Sequence, residues 1–180
     1  LFAAADGSGW SGENDLAVAA FRRAEYRIAA FHAARALAIA RRAYPGDSAE
    51  LGASLNNLGE LHRILGRYDA AEPLYREALG IYRRMQPAGR HPYYATCLNN
   101  IGVMYDALGR GAEAIPLVRE ALAIRRGLEP RGKHEDYAAS LNNLAELYAG
   151  NKRQDEAERL FLEAAGIYRD FDPPGRHRLY

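Results

Sequence analysis

An all-α fold built from repeated pairs of antiparallel helices is what the sequence predicts, and three observations predict it. The phrase Leu55-Asn56-Asn57-Leu58-Gly59 returns as Leu98-Asn99-Asn100-Ile101-Gly102 and as Leu141-Asn142-Asn143-Leu144-Ala145, a period of 43 residues. A fixed period of that size marks a repeat architecture. Within each period apolar residues recur at three- and four-residue spacings, which is one face of a helix. Alanine and arginine, both strong helix formers, are abundant, with only Lys133 and Lys152 being lysine among the 24 basic residues.

The elements follow in chain order. Residues 1–12 are expected to be a flexible segment, because Gly7, Gly9 and Gly12 oppose helix formation. Residues 13–45 form a partial, degenerate first repeat. Shifting by 42 aligns Tyr26 with Tyr68 and Ala36-Leu37-Ala38-Ile39 with Ala78-Leu79-Gly80-Ile81, so 25–43 is its second helix. Its first half is either a shortened helix from about Glu13 or part of one long helix through Ala43. Full repeats occupy 46–88, 89–131 and 132–174, and 175–180 is the start of a further repeat or a tail.

Each full repeat reads as helix A followed by helix B. In the first, Leu51, Leu55, Leu58, Leu61 and Leu65 make the apolar face of helix A, and Ser48 is placed to cap it. Gly66 breaks the chain direction. Asp69 with Glu72, and later Asp155 with Glu158, read as capping-box starts for helix B, and Pro73 falls in its opening turns. Leu74, Tyr75, Ala78, Leu79 and Tyr82 give helix B its apolar side, and Arg83-Arg84 suit the negative end of its dipole. Small residues at Gly59, Gly102 and Ala145, facing Ala71 and Ala78 and their equivalents, let paired helices approach at the short end of the usual ~8–10 Å.

Composition excludes several functions. With 24 basic and 23 acidic residues the net charge is +1, and a pI near 8.1 falls short of the roughly 9 or more of a nucleic-acid domain, so no nucleic-acid partner is expected. No apolar run reaches the ~18 residues of a membrane helix. The stretch from Phe31 to Ala43 is broken by His32, Arg35, Arg41 and Arg42, and no membrane partner is expected. The single cysteine, Cys97, cannot form an internal disulfide and suits a reducing compartment, so a cytoplasmic location is expected. It shares a small-residue column with Ser54 and Ser140, which makes it a structural thiol. The amino terminus lacks a starting Met and a signal-peptide layout, and the chain reads as an internal fragment.

No phosphate loop, nucleophile elbow or metalloprotease motif is present, so the chain is expected not to be an enzyme and to need no cofactor. His91, His134 and His177 occupy equivalent linker positions, but neighbouring repeats set them roughly 16–20 Å apart, whereas one metal ion needs its ligands at about 2 Å. No metal site is expected. His62 shares its column with Tyr105 and Tyr148, which makes a partly buried ring the expected reading.

The Leu-Asn-Asn-Leu-Gly phrase of helix A, with Tyr68-Asp69-Ala70-Ala71-Glu72-Pro73-Leu74-Tyr75-Arg76-Glu77-Ala78-Leu79 opening helix B, resembles the tetratricopeptide repeat. The period exceeds that family's usual ~34 residues and is similar to the longer kinesin light chain type, as is the linker His91-Pro92-Tyr93-Tyr94-Ala95-Thr96. The resemblance covers about residues 25–180. It weakens in the last repeat, where Asn151-Lys152-Arg153-Gln154 replaces Gly-Arg-Tyr and Ala165 replaces Leu. It implies a right-handed superhelical solenoid whose A helices line a concave groove, and a protein or peptide partner held there as an extended segment.

The residues add their own reasons for that groove. With Leu55 and Leu58 turned inward, positions 53, 56, 60 and 63 continue a second face. Three repeats then give the rows Asn56, Asn99, Asn142, then Glu60, Val103, Glu146, then Arg63, Asp106, Ala149. An Asn amide both donates and accepts, so a row of them can pair with the backbone of any extended chain. Asn56, Asn99, Asn142, Glu60, Arg63, Val103, Asp106 and Glu146 are therefore the candidate groove residues, while Asn57, Asn100 and Asn143 are assigned to stacking. Trp10, followed by Glu13 and Asp15, resembles the tryptophan-acidic peptides that kinesin light chain-like grooves take, so docking of this segment in a groove stands beside its reading as a disordered linker. Two alternatives to a peptide-binding scaffold stay open. The chain could be a regulatory or sensor segment of a larger enzyme, such as a protease or nucleotide-dependent switch, with catalysis elsewhere. It could also be a structural solenoid that self-associates through exposed ends.

Overall fold

The structure is a computed structural model that describes residues 8–85, 92–128 and 135–171. Among these residues there are eight α-helices and no strands: α1 (Ser8–Arg22), α2 (Tyr26–Ala43), α3 (Ala49–Ile64), α4 (Tyr68–Met85), α5 (Pro92–Ala107), α6 (Gly111–Leu128), α7 (Glu135–Gly150) and α8 (Gln154–Phe171). They divide into two compact units, Leu1–Cys97 and Leu98–Tyr180, with the division falling inside α5. In the first unit α2 packs against both α1 and α3, and α3 against α4; in the second α7 packs against both α6 and α8.

One turn, repeated four times, sets the helix pairs. Each A helix ends with a residue in the left-handed region: Ala24 (φ 58°), Gly66 (φ 71°), Gly109 (φ 71°) and Lys152 (φ 62°). The following amide reaches back five residues, Glu25 to Ala20, Arg67 to His62, Arg110 to Tyr105 and Arg153 to Tyr148, at 2.8–3.0 Å. This is the Schellman closure of a helix end. It also corrects the expected capping boxes. The turn delivers the chain into α4 at Tyr68 and into α8 at Gln154, one residue before Asp69 and Asp155. Glu72 pairs with Arg76. At α3 the expectation holds, with the Ser48 hydroxyl accepting from the Leu51 amide at 3.1 Å.

The amino-terminal repeat departs from the reading that residues 1–12 are a flexible segment. Residues 8–12 are helical, and the turn at Ala24 separates α1 from α2, so there is no single long helix. Tertiary contacts outweigh the glycines here. The Trp10 indole N–H donates to the Ser54 hydroxyl at 2.7 Å, its ring meets Tyr44 edge-on at 6.2 Å, and Ala17 and Ala20 are buried. Glu13 clamps α1 to α2 through His32 (2.7 Å) and Arg35 (2.9 Å). Gly9 lies close to the Ile39 side chain.

Packing inside each pair follows a small-against-large rule. A Cβ at Gly59 would stand 3.0 Å from the Tyr75 ring, and one at Gly102 only 2.4 Å from Val118 Cγ2. Tyr75 and Val118 are fully buried. Position 145 carries alanine, and its opposite number Phe161 is 40% exposed. Between α6 and α7, the half-buried Arg125 guanidinium donates to the Asp136 carbonyl at 2.8 Å and to the Ser140 hydroxyl. Burial pulls its pKa down from the ordinary arginine value, a pull the nearby Asp136 charge opposes.

Candidate functional site

The paired asparagines bind helix A to helix A. In the first unit, Asn57 Nδ2 donates to Asn14 Oδ1 at 3.3 Å, and the Cys97 thiol donates to Asn56 Oδ1 at 3.5 Å. In the second, Asn143 Nδ2 and the Ser140 hydroxyl both donate to Asn99 Oδ1, at 3.0 and 3.4 Å. The pattern is one of steps: Asn57 and Asn143, and Cys97 and Ser140, each address the first asparagine of the repeat before, while Ser54 donates to the Glu50 carbonyl instead. Stacking was expected of the second asparagine alone. Asn99, expected in the groove, is 8% exposed and shares in the stacking instead, because its carbonyl faces the next A helix. Asn56 is half-buried with its carbonyl likewise engaged, and Asn142 is half-buried.

Glu60 and Arg63 form a clamp. The Glu60 carboxylate accepts from both Arg63 Nε (2.8 Å) and Nη2 (2.7 Å), and from the Tyr75 hydroxyl at 2.7 Å. Burial alone would push the Glu60 carboxyl up, but hydrogen bonds from Arg63 and Tyr75 and the Arg63 charge outweigh it and hold it below the ordinary value. Tyr75 is driven well above its usual range, by burial first and the Glu60 charge second. In the second unit Val103 is half-buried, while Asp106 and Glu146 are exposed.

The structure brings Asn56 and Glu60 together with residues the sequence reading missed. A cavity of ≈190 Å³ opens between α1 and α3, with Ala17, Val18 and Phe21 on one side and Asn56, Asn57 and Glu60 on the other. Val18 and Phe21 are 38% and 41% exposed. The signal was available: the shift of 42 that aligns α2 with α4 puts Asn14 in the Asn56 row, Val18 in the Glu60 row and Phe21 in the Arg63 row. The first repeat thus offers apolar side chains where the next offers a carboxylate and a guanidinium.

Trp10 lies in α1 and is held by Ser54 and Tyr44, as part of the α1–α3 packing. His62 is half-buried, as expected, and its Nδ1 is buried with no hydrogen-bond partner among the described residues. Cys97 is buried and free, and burial pushes its thiol up to about 12. The linker histidines His91, His134 and His177 lie outside the described residues. Among the described residues no group of three or more His, Cys, Asp or Glu is arranged to hold a metal ion, and no helix is long and apolar enough to cross a membrane.

Helix pairs closed by one recurring turn and tied A helix to A helix define a helical-repeat protein of the solenoid class. More narrowly, the chain belongs to the tetratricopeptide repeat family, whose model matches residues 11–84 and 107–170. No curated protein matches it in sequence. Among solved structures it is similar to BtubC (BKLC) from P. vanneervenii, with 25% identity and a TM-score of 0.77 over 95% of this chain and 68% of that one. It is also similar to a variant form of a Podosopora anserina protein described as a kinesin light chain with nearly identical TPR-like repeats, with 21% identity and a TM-score of 0.73 over 94% and 79% of the two chains. MamA follows at 15% identity and a TM-score of 0.60 over 90% and 80%. The all-α repeat fold and the tetratricopeptide repeat family are therefore as the sequence predicts, and the fold is similar to that of the kinesin light chain repeats. Repeats of this family generally mediate protein–protein interaction.

Proposed function

We propose that the chain is a protein-interaction scaffold that holds a peptide or partner segment against its A helices, with the α1/α3 cavity as an anchor point. The observation that carries this reading is the composition of that cavity: an apolar wall of Val18 and Phe21 opposite the amide of Asn56 and the carboxylate of Glu60. Such a site takes an apolar side chain and offers polar groups to the backbone beside it. Glu60 and Arg63 in the first unit, and Val103, Asp106, Asn142 and Glu146 in the second, are the varied side chains left to select a partner. The buried free thiol of Cys97 fits a reducing compartment, and the scaffold is assigned to the cytoplasm.

The test starts from peptides selected against the full chain from a random library. Val18→Arg, which puts a charge at an exposed position of the cavity wall, and Asn56→Ala should each weaken binding about tenfold, the loss of roughly 1.4 kcal/mol, with helicity unchanged. Selected peptides that bind both variants as tightly as the parent chain would sink the assignment.

A second surface supports self-association. Leu162 is 66% exposed beside Phe161 on α8, in rows where the earlier repeats carry Arg76 and Arg119, and Tyr75 and Val118. Sedimentation should show dimers that Leu162→Glu disperses; a monomer at high concentration removes this reading.

A further inference from the structure

The second and third full repeats share a device that the first lacks. In the second, the Arg110 guanidinium lies 3.9 Å over the Tyr105 ring and is paired with Glu113. In the third, Arg153 lies 4.1 Å over Tyr148 and is paired with Glu156. Aromatic face and carboxylate together occupy the cation. In the first repeat the same three positions read His62, Arg67 and Ala70. The acid is gone, and the ring is an imidazole whose pKa is lowered, by burial first and the Arg67 charge second.

What stands beside Arg67 is a groove between α2 and α3 of ≈330 Å³. Its floor is apolar, from Leu58, Leu65 and the small side chains Ala30 and Ala34, and Phe31 at its side is 59% exposed. At the corresponding positions of α4 the repeat carries Glu72 and Arg76, which pair with each other; alanines in their place leave this groove open. Its charges are Arg67 and a second arginine, Arg27. Both are exposed, neither has a carboxylate partner among the described residues, and no acidic side chain lines the groove. Arg27 sits in the first turn of α2 and Arg67 directly precedes α4, so two helix amino termini add positive potential at the same edge. Two unpaired guanidiniums over an apolar floor, with no acid between them, complement carboxylates attached to an apolar body.

We propose that this α2/α3 groove is a docking site for an acidic peptide segment of a protein partner, with its carboxylates taken by Arg27 and Arg67 and an adjacent apolar side chain lying against Phe31. The site is separate from the α1/α3 cavity and does not depend on it.

The test titrates the full, isotope-labelled chain with N-acetylated, C-amidated Glu-Phe-Glu and follows backbone amide resonances. Saturable shifts are expected around residues 27–34 and 62–67. Arg27→Ala and Arg67→Ala, both at exposed positions, should each weaken binding about tenfold, as removal of one charge-assisted contact does. The double substitution H62Y/A70E restores the ring and carboxylate of the later repeats, and should weaken binding by a similar factor while helicity is kept. The proposal is overturned if Gln-Phe-Gln binds as tightly, if Arg67→Ala or H62Y/A70E leaves binding unchanged, if Glu-Phe-Glu fails to bind, or if equimolar inorganic phosphate displaces it. Shifts confined to the α1/α3 cavity would also overturn it while leaving the proposed scaffold function in place; loss of library-peptide binding in Val18→Arg alone leaves this groove untouched.

Discussion

Gly102→Ala probes the rule by which each helix pair closes. The new Cβ would stand 2.4 Å from Val118 Cγ2 and 3.4 Å from the Ala114 carbonyl oxygen. Carbon atoms prefer about 3.5–4.0 Å, so more than an ångström must be found. Val118 cannot supply it by rotating, because a β-branched side chain in a helix has one strongly preferred χ1, and it is fully buried. The helices must part. Overpacking of this kind costs about 1–3 kcal/mol, while alanine gains about 1 kcal/mol over glycine in a helix interior, leaving a net loss of up to about 2 kcal/mol. Urea unfolding followed by circular dichroism measures it. Gly166→Ala is the matched control, with nothing within 4 Å of its new Cβ, and should gain up to about 1 kcal/mol. In G102A/V118A the clash is removed, so the pair should couple favourably by about 1 kcal/mol. A G102A chain that gains as much stability as Gly166→Ala would refute close packing as the reason for glycine in that column.

Three further outcomes follow from the same contacts. Glu60→Gln should destabilise the first unit by about 1–3 kcal/mol; because the folded carboxyl is held below its ordinary value, the parent's extra stability is present above about pH 4.3, is lost as pH falls through the depressed folded value, and a flat difference between the two chains from pH 6 to pH 3 contradicts the clamp. Cys97, with its thiol pushed up to about 12, should resist a disulfide reagent in the folded chain and react at once in denaturant, and its contribution to stability should fade as pH rises from about 8.5 toward that folded value; rapid labelling of the native chain argues against burial. Lys152→Gly relieves a left-handed residue, a strain of about 1–2 kcal/mol offset by about 0.5–1 kcal/mol of glycine entropy, so thermal unfolding should move upward; a lower midpoint removes the strain argument.

How much of this was legible depends on whether a residue's role is set by its own helix or by its neighbour. The apolar faces of the A and B helices follow from spacing alone, and Ser48 caps α3 as its position requires. The start of α4 was misread because the Schellman turn at Gly66, a property of the preceding helix end, fixes where the next helix begins. The start of α1 was misread because Trp10 and Ser54, 44 residues apart, supply stability that no local propensity reports. The asparagines are the sharpest case. Adjacent residues in a helix point about 100° apart, so Asn56 and Asn57 were assigned opposite roles, yet the carbonyl of the first and the amide of the second belong to one interhelical network, which only the neighbouring helix reveals.

Sharing the first asparagine with the stacking network changes where selectivity resides. A row whose carbonyls are engaged between helices has less to offer a partner, and it is the same in every repeat, so it distinguishes nothing. The rows that vary are Val18, Glu60, Val103, Glu146 and Phe21, Arg63, Asp106, Ala149. Even there a charge counts most where it is not already paired: Glu60 and Arg63 hold each other and meet a partner as a pair, whereas Val18 and Phe21 expose apolar surface, Phe21 with its ring edge-on to Tyr26. The same test applied to the arginines after each A helix passes over Arg110 and Arg153, held by a ring and a carboxylate, and stops at Arg67, where both partners have been replaced. In an array of near-copies the contacts common to every repeat build the scaffold, and recognition falls to the positions where one copy lacks the partner that the others keep.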